Sequence, residues 1–135
     1  MPLANHCLMP DAGPARDIRF AAVADLHFGR HEPEALRPLL DDIAARADAL
    51  LLCGDLTDHG QPDEGRALGR ELNQRLRMPI VAVLGNHDHE SLQGGELQSI
   101  LTDAGVRVLD GDACDVLGVG VAGVKGFCGG FGARA

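Results

Sequence analysis

The sequence predicts an α/β protein with a largely parallel sheet. Three short apolar runs lack polar alternation, which is typical of strands buried on both faces. Amphipathic helical patterns lie between these runs, so strands and helices alternate along the chain. A polar residue directly follows each apolar run, which indicates where each strand ends. The predicted order is β-α-β-α-β-α-β, followed by short strands.

The predicted strands cover residues 18–24, 49–53 and 80–84. Apolar residues recur three or four positions apart in residues 38–46, 62–76 and 96–104, which predicts three helices. Gly105 follows the third pattern and predicts its end. Shorter apolar pieces at 106–109, 116–117 and 119–124 predict the remaining strands, and residues 126–132 read as a glycine-rich loop.

Length and composition fit one domain without a membrane span. The chain has 135 residues, of which 45% are hydrophobic and 24% charged. No apolar run approaches the roughly 20 residues that cross a bilayer. Residues 1–17 lack the plan of a signal peptide, so we expect a loose N-terminal extension followed by a domain over residues 18–135. The four cysteines form no Cys-x-x-Cys pair, and together these features favour a cytoplasmic protein.

The net charge of −8 disfavours nucleic acid as a partner. A surplus of carboxylates is also typical of metal sites, although an acidic surface that keeps the protein soluble explains many such cases.

Polar side chains with metal-binding chemistry follow the three predicted strands. Asp25, Asp55 and Asn86 are separated by 30 and 31 residues, about the length of one βαβ unit. Because parallel strands end at one edge of the sheet, these side chains should converge there with His27 and His87. Such a mixture of oxygen and nitrogen ligands suits Mn, Fe, Zn, Co or Ni better than Ca or Mg. The pattern therefore predicts a divalent-metal site.

Local features support this prediction. Asp25 and His27 are two residues apart, so an extended segment would point both to the same side. Gly54 and Gly85 precede Asp55 and Asn86, where a sharp turn or a close backbone approach is expected. The alternative is that these polar residues only cap strand ends and form turns.

The motifs Asp25-Leu26-His27, Gly54-Asp55 and Gly85-Asn86-His87-Asp88 resemble the first three signature blocks of the calcineurin-like metallophosphoesterases. The resemblance implies the N-terminal part of a four-layer α/β/β/α fold that binds two divalent metal ions and hydrolyses phosphoesters. The longer sequence of residues 54–60 is similar to that of the class III cyclic-nucleotide phosphodiesterases. Phosphodiesters are therefore favoured over phosphomonoesters. A small phosphoester is the expected substrate.

The resemblance also implies roles for individual residues. Asp25 and His27 would bind the first metal, and Asp55 would bridge both. Asn86 would bind the second metal and help to hold the phosphate. His87 would be the general acid.

The roles of two further residues, Asp58 and His59, stay open. Asp58 matches a carboxylate that hydrogen-bonds this histidine in some family members, but it is also placed to cap a helix. His59 is either a phosphate contact or a surface loop residue, as are His31 and Arg30.

One departure from the family pattern affects the expected activity. Family members carry later histidines in Gly-His and Gly-His-x-His blocks, whereas this sequence has no histidine after His89. We therefore expect a truncated domain with incomplete metal sites, and the alternative to an enzyme is a non-catalytic metal-binding half-site. An unpaired sheet edge would also favour self-association.

Overall fold

A four-stranded parallel sheet forms the centre of the molecule. The computed structural model describes residues 16–125. Strands β1 (Phe20–Val23), β2 (Ala49–Cys53), β3 (Ile80–Val83) and β4 (Val106–Val108) lie in the order β1-β2-β3-β4, and every neighbouring pair is parallel. The predicted α/β class with a largely parallel sheet is confirmed.

Three helices cover one face of this sheet. They are α1 (Arg37–Arg46), α2 (Pro62–Arg75) and α3 (Gly94–Asp103). The strand order advances in one direction, and right-handed crossovers then place every connecting helix on the same side. A single buried cluster joins the inward faces of the helices to the sheet, through Leu40, Ile43, Leu68, Leu72, Leu97, Leu101, Leu50, Leu52, Ile80 and Val106.

An antiparallel hairpin lies against the opposite face of the sheet. It consists of β5 (Asp112–Val116) and β6 (Val119–Gly123), joined at Leu117 and Gly118 with φ of 55° and 86°. Val116 packs there in a smaller buried cluster with Ala49 and Val81. Other apolar residues of that face are only half-buried. The hairpin therefore leaves part of the sheet face uncovered.

The element bounds differ from the predictions in physically simple ways. The hairpin strand β5 starts in polar residues, so its apolar pattern is visible only at its end. Helix α3 begins two residues earlier than predicted, at Gly94, a residue of low helix propensity. Short 3₁₀ turns at Pro33–Leu36 and His87–His89 were not predicted, because such turns carry no periodic signal.

The helices α1 and α2 are also joined by an ion pair. The Arg37 guanidinium donates from Nε and Nη2 to the two oxygens of Glu71, at 3.1 and 3.0 Å. Glu71 is buried, and the Arg37 hydrogen bonds hold the pKa of that carboxyl below its usual value, with burial acting in the opposite direction.

Within residues 16–125, none of the helices has the length and hydrophobicity needed to cross a lipid bilayer. Most of the predicted N-terminal extension and the predicted glycine-rich loop at residues 126–132 lie outside the described residues.

Candidate metal centre

The segments that follow β1 and β2 run side by side beyond the sheet. The Asp25 and His27 amides donate to the carbonyl oxygens of Gly54 and Asp55, each at 3.0 Å, and the Phe28 amide donates to the Leu56 carbonyl at 2.9 Å. These bonds extend the pairing of the two strands into the loops. They bring the first Asp-x-His motif next to Asp55.

Three of the predicted metal ligands have left-handed backbone conformations. The φ angles of Asp25, His27 and Asp55 are 54°, 42° and 48°. Residues other than glycine rarely adopt such angles, and those that do are concentrated at functional sites. The expectation that Asp25 and His27 lie in an extended segment is therefore wrong. Their side chains are aimed by backbone turns instead.

Two glycines let the ends of β2 and β3 approach each other. A Cβ on Gly54 would lie 3.3 Å from the Gly85 Cα, and Gly54 also has a φ of 90°. A Cβ on Gly85 would collide with the carboxylate and the amide of Asp55. Gly85 is therefore required for space, so that Asp55 can lie against the end of β3.

A fully buried carboxylate ties the same two loops together. Asp88 accepts hydrogen bonds from the amides of Leu56 and Thr57 at 3.1 and 2.8 Å. It also accepts from the Thr57 hydroxyl at 2.7 Å and from the Gly85 amide at 2.8 Å. These four bonds fix the chain directly after Asp55 and on both sides of His87. Sequence reasoning gave Asp88 no role, and its place in the third motif was the only signal.

The side chains of His27, Asp55 and His87 converge at this edge of the sheet. Each offers one ligand atom, and these atoms lie within 4.8 Å of one another. The two imidazole rings meet edge to face, with centroids 4.5 Å apart. The His87 amide donates to Asp55 Oδ1 at 3.0 Å. Oriented to satisfy both groups, the Asn86 amide nitrogen lies 3.3 Å from each Asp55 carboxylate oxygen.

The backbone of Asp58 orients the His87 ring. His87 Nδ1 lies 2.7 Å from the Asp58 carbonyl oxygen, which can only accept, so Nδ1 carries the proton of this bond. This hydrogen bond raises the pKa of His87; burial opposes it, and the charge of Asp55 adds to it. The raised pKa favours the protonated imidazole, which suits a proton donor.

The Asp58 carboxylate faces one guanidinium and two histidines other than His87. Its Oδ1 lies 2.8 Å from Arg30 Nη2 and 3.2 Å from His27 Nδ1, and its Oδ2 lies 3.3 Å from His59 Nε2. Burial alone would raise the pKa of Asp58, but the Arg30 guanidinium and the neighbouring histidines hold it below its usual value.

At the rim of the site, His59 pairs with a carboxylate that sequence reasoning missed. His59 Nδ1 lies 3.0 Å from a Glu90 oxygen, and this bond is the main cause that raises the pKa of His59. The same oxygen lies 3.8 Å from His87 Nδ1. Both His59 and Glu90 are exposed, so the pair borders the site without closing it.

The donor set fits a divalent metal ion. The His27 imidazole and the Asp55 carboxylate are ligand types that Mn, Fe, Zn and Co share, and the His87 ring lies beside them, with the three ligand atoms within 4.8 Å of one another. His27 Nδ1 and Asp58 Oδ1 are buried yet make no hydrogen bond of normal geometry. Asp25 is exposed and lies outside the three-residue group, and Asn86 reaches the group through Asp55.

Comparison with known proteins agrees with this geometry. The sequence profile of the calcineurin-like phosphoesterases matches residues 18–130. The chain belongs to the calcineurin-like phosphoesterase family. This membership confirms the resemblance of the three motifs and supports phosphoester hydrolysis in general, in a family that typically binds divalent metals.

A curated relative is also similar to this calcineurin-like phosphoesterase. It is a probable cyclic nucleotide phosphodiesterase of Rhodococcus erythropolis, 33% identical over 81 residues. The match covers 56% of this chain and 27% of the relative. The chain thus corresponds to about a quarter of that protein's length.

Proposed function

We propose that this chain contributes to a dinuclear metal centre that hydrolyses phosphoesters, with phosphodiesters favoured over phosphomonoesters. The observation that carries the proposal is the convergence of His27, Asp55 and His87 at the carboxyl ends of parallel strands. In this proposal Asp25 and His27 would hold the first ion, Asp55 would be a ligand of both ions, and Asn86 would hold the second. Mn, Fe, Zn, Co or Ni would suit these ligands.

The chain's own groups account for the remaining steps. Two bound ions would supply an activated water and neutralise phosphate charge. Asn86 would orient the phosphate through its amide. His87 holds its Nδ1 proton on the Asp58 carbonyl, which leaves Nε2 to protonate the leaving oxygen. The raised pKa of His87 supports that role.

A small phosphodiester is the substrate class we favour. The Rhodococcus relative is named a probable cyclic nucleotide phosphodiesterase, and residues 54–60 resemble that branch of the family. His59 at the rim would contact the substrate. The net charge of −8 makes nucleic acid an unfavourable partner.

A second candidate is a metal-binding half-site without turnover. The observation that favours it is that His27 and Asp55 lie together among the described residues, whereas Asp25 is exposed and lies outside that group. In that case the chain would bind one ion through His27 and Asp55.

Two further proposals concern location and association. Among the described residues, Cys53 and Cys114 form no disulfide, which supports the reducing environment of the cytoplasm. Within residues 16–125, only one side of β1 is paired with another strand, which supports self-association through that edge.

Metal content and Mn²⁺-stimulated hydrolysis of bis(p-nitrophenyl) phosphate would test the proposed function. We expect Asp55→Asn to lower both metal binding and turnover by more than about 100-fold. The loss of a residue that only hydrogen-bonds a metal ligand already costs up to that factor. Asp42→Asn is the matched control, because Asp42 is an exposed carboxylate on α1 that contacts Arg46.

Each outcome of this test decides between the candidates. Turnover that disappears in Asp55→Asn supports the enzyme. Metal binding that depends on Asp55 without turnover supports the half-site. A chain that neither binds Mn²⁺ nor hydrolyses the substrate would contradict both.

A further inference from the structure

Buried atoms of Asp58 and His27 face each other beside the candidate metal centre. Asp58 Oδ1 and His27 Nδ1 lie 3.2 Å apart, and neither atom makes a hydrogen bond of normal geometry. Leaving a buried imidazole nitrogen such as His27 Nδ1 unpaired is costly, so its position against Asp58 needs a structural or chemical reason. The distance is already that of a hydrogen bond, and only the angle is unfavourable.

The two histidines contact different parts of Asp58. His87 Nδ1 is held by the Asp58 backbone carbonyl at 2.7 Å, and a substitution of the Asp58 side chain would keep that bond. The Asp58 carboxylate instead faces Nδ1 of His27. The side chain of Asp58 thus contacts His27, and its main chain contacts His87.

We propose that the Asp58 carboxylate is a positioning residue for His27: it accepts a hydrogen bond from the Nδ1–H of the ring, which keeps the proton on Nδ1 and presents Nε2 to a metal ion. This inference rests on the proposed function, since it takes His27 as a metal ligand. Histidines that bind metals usually donate their other N–H to a carboxylate or a carbonyl, which fixes the tautomer and the ring orientation. A small rotation of the His27 ring would align the bond.

Arg30 supports the carboxylate in this position. Its guanidinium lies 2.8 Å from the oxygen that faces His27, and its amide donates to the His27 carbonyl at 3.0 Å. A buried carboxylate is stable when it is paired, so Arg30 keeps Asp58 charged beside the imidazole. Arg30, the cation that pairs with Asp58, therefore lies in the same loop as His27.

Co²⁺ titration of the full chain, followed by calorimetry and by the visible absorption of the bound ion, tests this role. We expect Asp58→Ala to weaken Co²⁺ binding by about 10–100-fold and to change the spectrum, because the ligand ring loses its orientation. Asp58→Asn should recover part of the affinity, since its amide oxygen still accepts a hydrogen bond. Asp63→Ala is the matched control, because Asp63 is an exposed carboxylate on α2 that contacts Arg66.

A second measurement needs no metal. In long-range ¹H–¹⁵N spectra of the metal-free chain, we expect the neutral His27 ring to carry its proton on Nδ1. In Asp58→Ala the two tautomers should become mixed, and in Asp63→Ala they should not. A merely structural role of Asp58 would change stability but would not select a tautomer. If Asp58→Ala fails to fold, Asp58→Asn carries both measurements with a smaller expected effect.

The outcomes separate this inference from the proposed function. Co²⁺ affinity within twofold of the wild type, together with an unchanged tautomer, would overturn the role of Asp58 and leave the metal site standing. A wild-type chain that binds no Co²⁺ would overturn the proposed function and the ligand role of His27. The imidazole spectra would then still decide whether Asp58 holds the ring.

Discussion

At the scale of single residues, the site depends on backbone contacts that leave no room for larger side chains. Asp55 is placed by its own left-handed backbone, by the amide of His87 and by the bare Cα of Gly85. Asp88 fixes the same loops because it accepts four hydrogen bonds from them. The position of the central carboxylate is therefore set by neighbours that contact no ion themselves.

Gly85→Ala should displace Asp55, since the added methyl group would collide with its carboxylate and amide. We expect a loss of stability of about 1–3 kcal/mol, typical of overpacking, and weaker Mn²⁺ binding. Gly95→Ala is the control, because a Cβ at Gly95 meets no atom within 4 Å. Urea unfolding and Mn²⁺ titration of both variants would check this. Unchanged metal affinity in Gly85→Ala would show that Asp55 tolerates the shift.

At the scale of secondary-structure elements, the helices are held to each other by charge as well as by the apolar core. Arg37 lies at the start of α1 and Glu71 in the middle of α2, so their bidentate ion pair fixes the relative position of the two helices. Arg75 adds a second cation 3.6 Å from a Glu71 oxygen. The loop before α1 carries the first Asp-x-His motif, so this contact also supports the site.

Stability should depend on pH through Glu71. Its pKa is lower in the folded state, so its contribution is present above the unfolded pKa and is lost as pH falls through the folded pKa. At pH 7 we expect Glu71→Gln to cost about 1.5–3 kcal/mol, the range for hydrogen bonds to charged groups. Urea unfolding between pH 7 and pH 3 should show the wild type and the variant converging in acid. A difference that is constant with pH would contradict the assignment.

At the scale of the whole molecule, the two faces of the sheet are covered unequally. The helix face is sealed by a continuous core, whereas the hairpin leaves Phe20, Leu51 and Val83 half-buried on the other face. Strand β1 lies at the margin of the sheet in the described part of the chain. An open strand edge beside partly exposed apolar surface favours pairing with another chain.

Sedimentation velocity over a concentration series would test this association. We expect the average mass of the wild type to rise with concentration. Ala22→Lys should keep the chain monomeric, because Ala22 is exposed on the edge strand and lysine disfavours edge-to-edge pairing. The control is Ala45→Lys on the exposed side of α1, which should associate like the wild type. A wild type that stays monomeric at every concentration would contradict the proposal.

The sequence by itself determined the order of the elements and the edge at which the polar residues meet. Apolar runs and helical periodicity are local signals, and parallel strands must end at one edge, so Asp55 and His87 could be expected to converge from spacing alone. The family motifs added the expected ligand set, including Asp25 and Asn86, whose metal roles stay a prediction.

Only the tertiary structure decided how the side chains of the site are aimed. Asp25 and His27 have left-handed angles in place of the expected extended segment, and their amides are hydrogen-bonded to the neighbouring loop. The carboxylate of Asp58 faces His27 while its carbonyl faces His87, a distinction that no motif contains. Such orientations arise from contacts between residues about 30 positions apart, and these contacts have no periodic trace in the sequence.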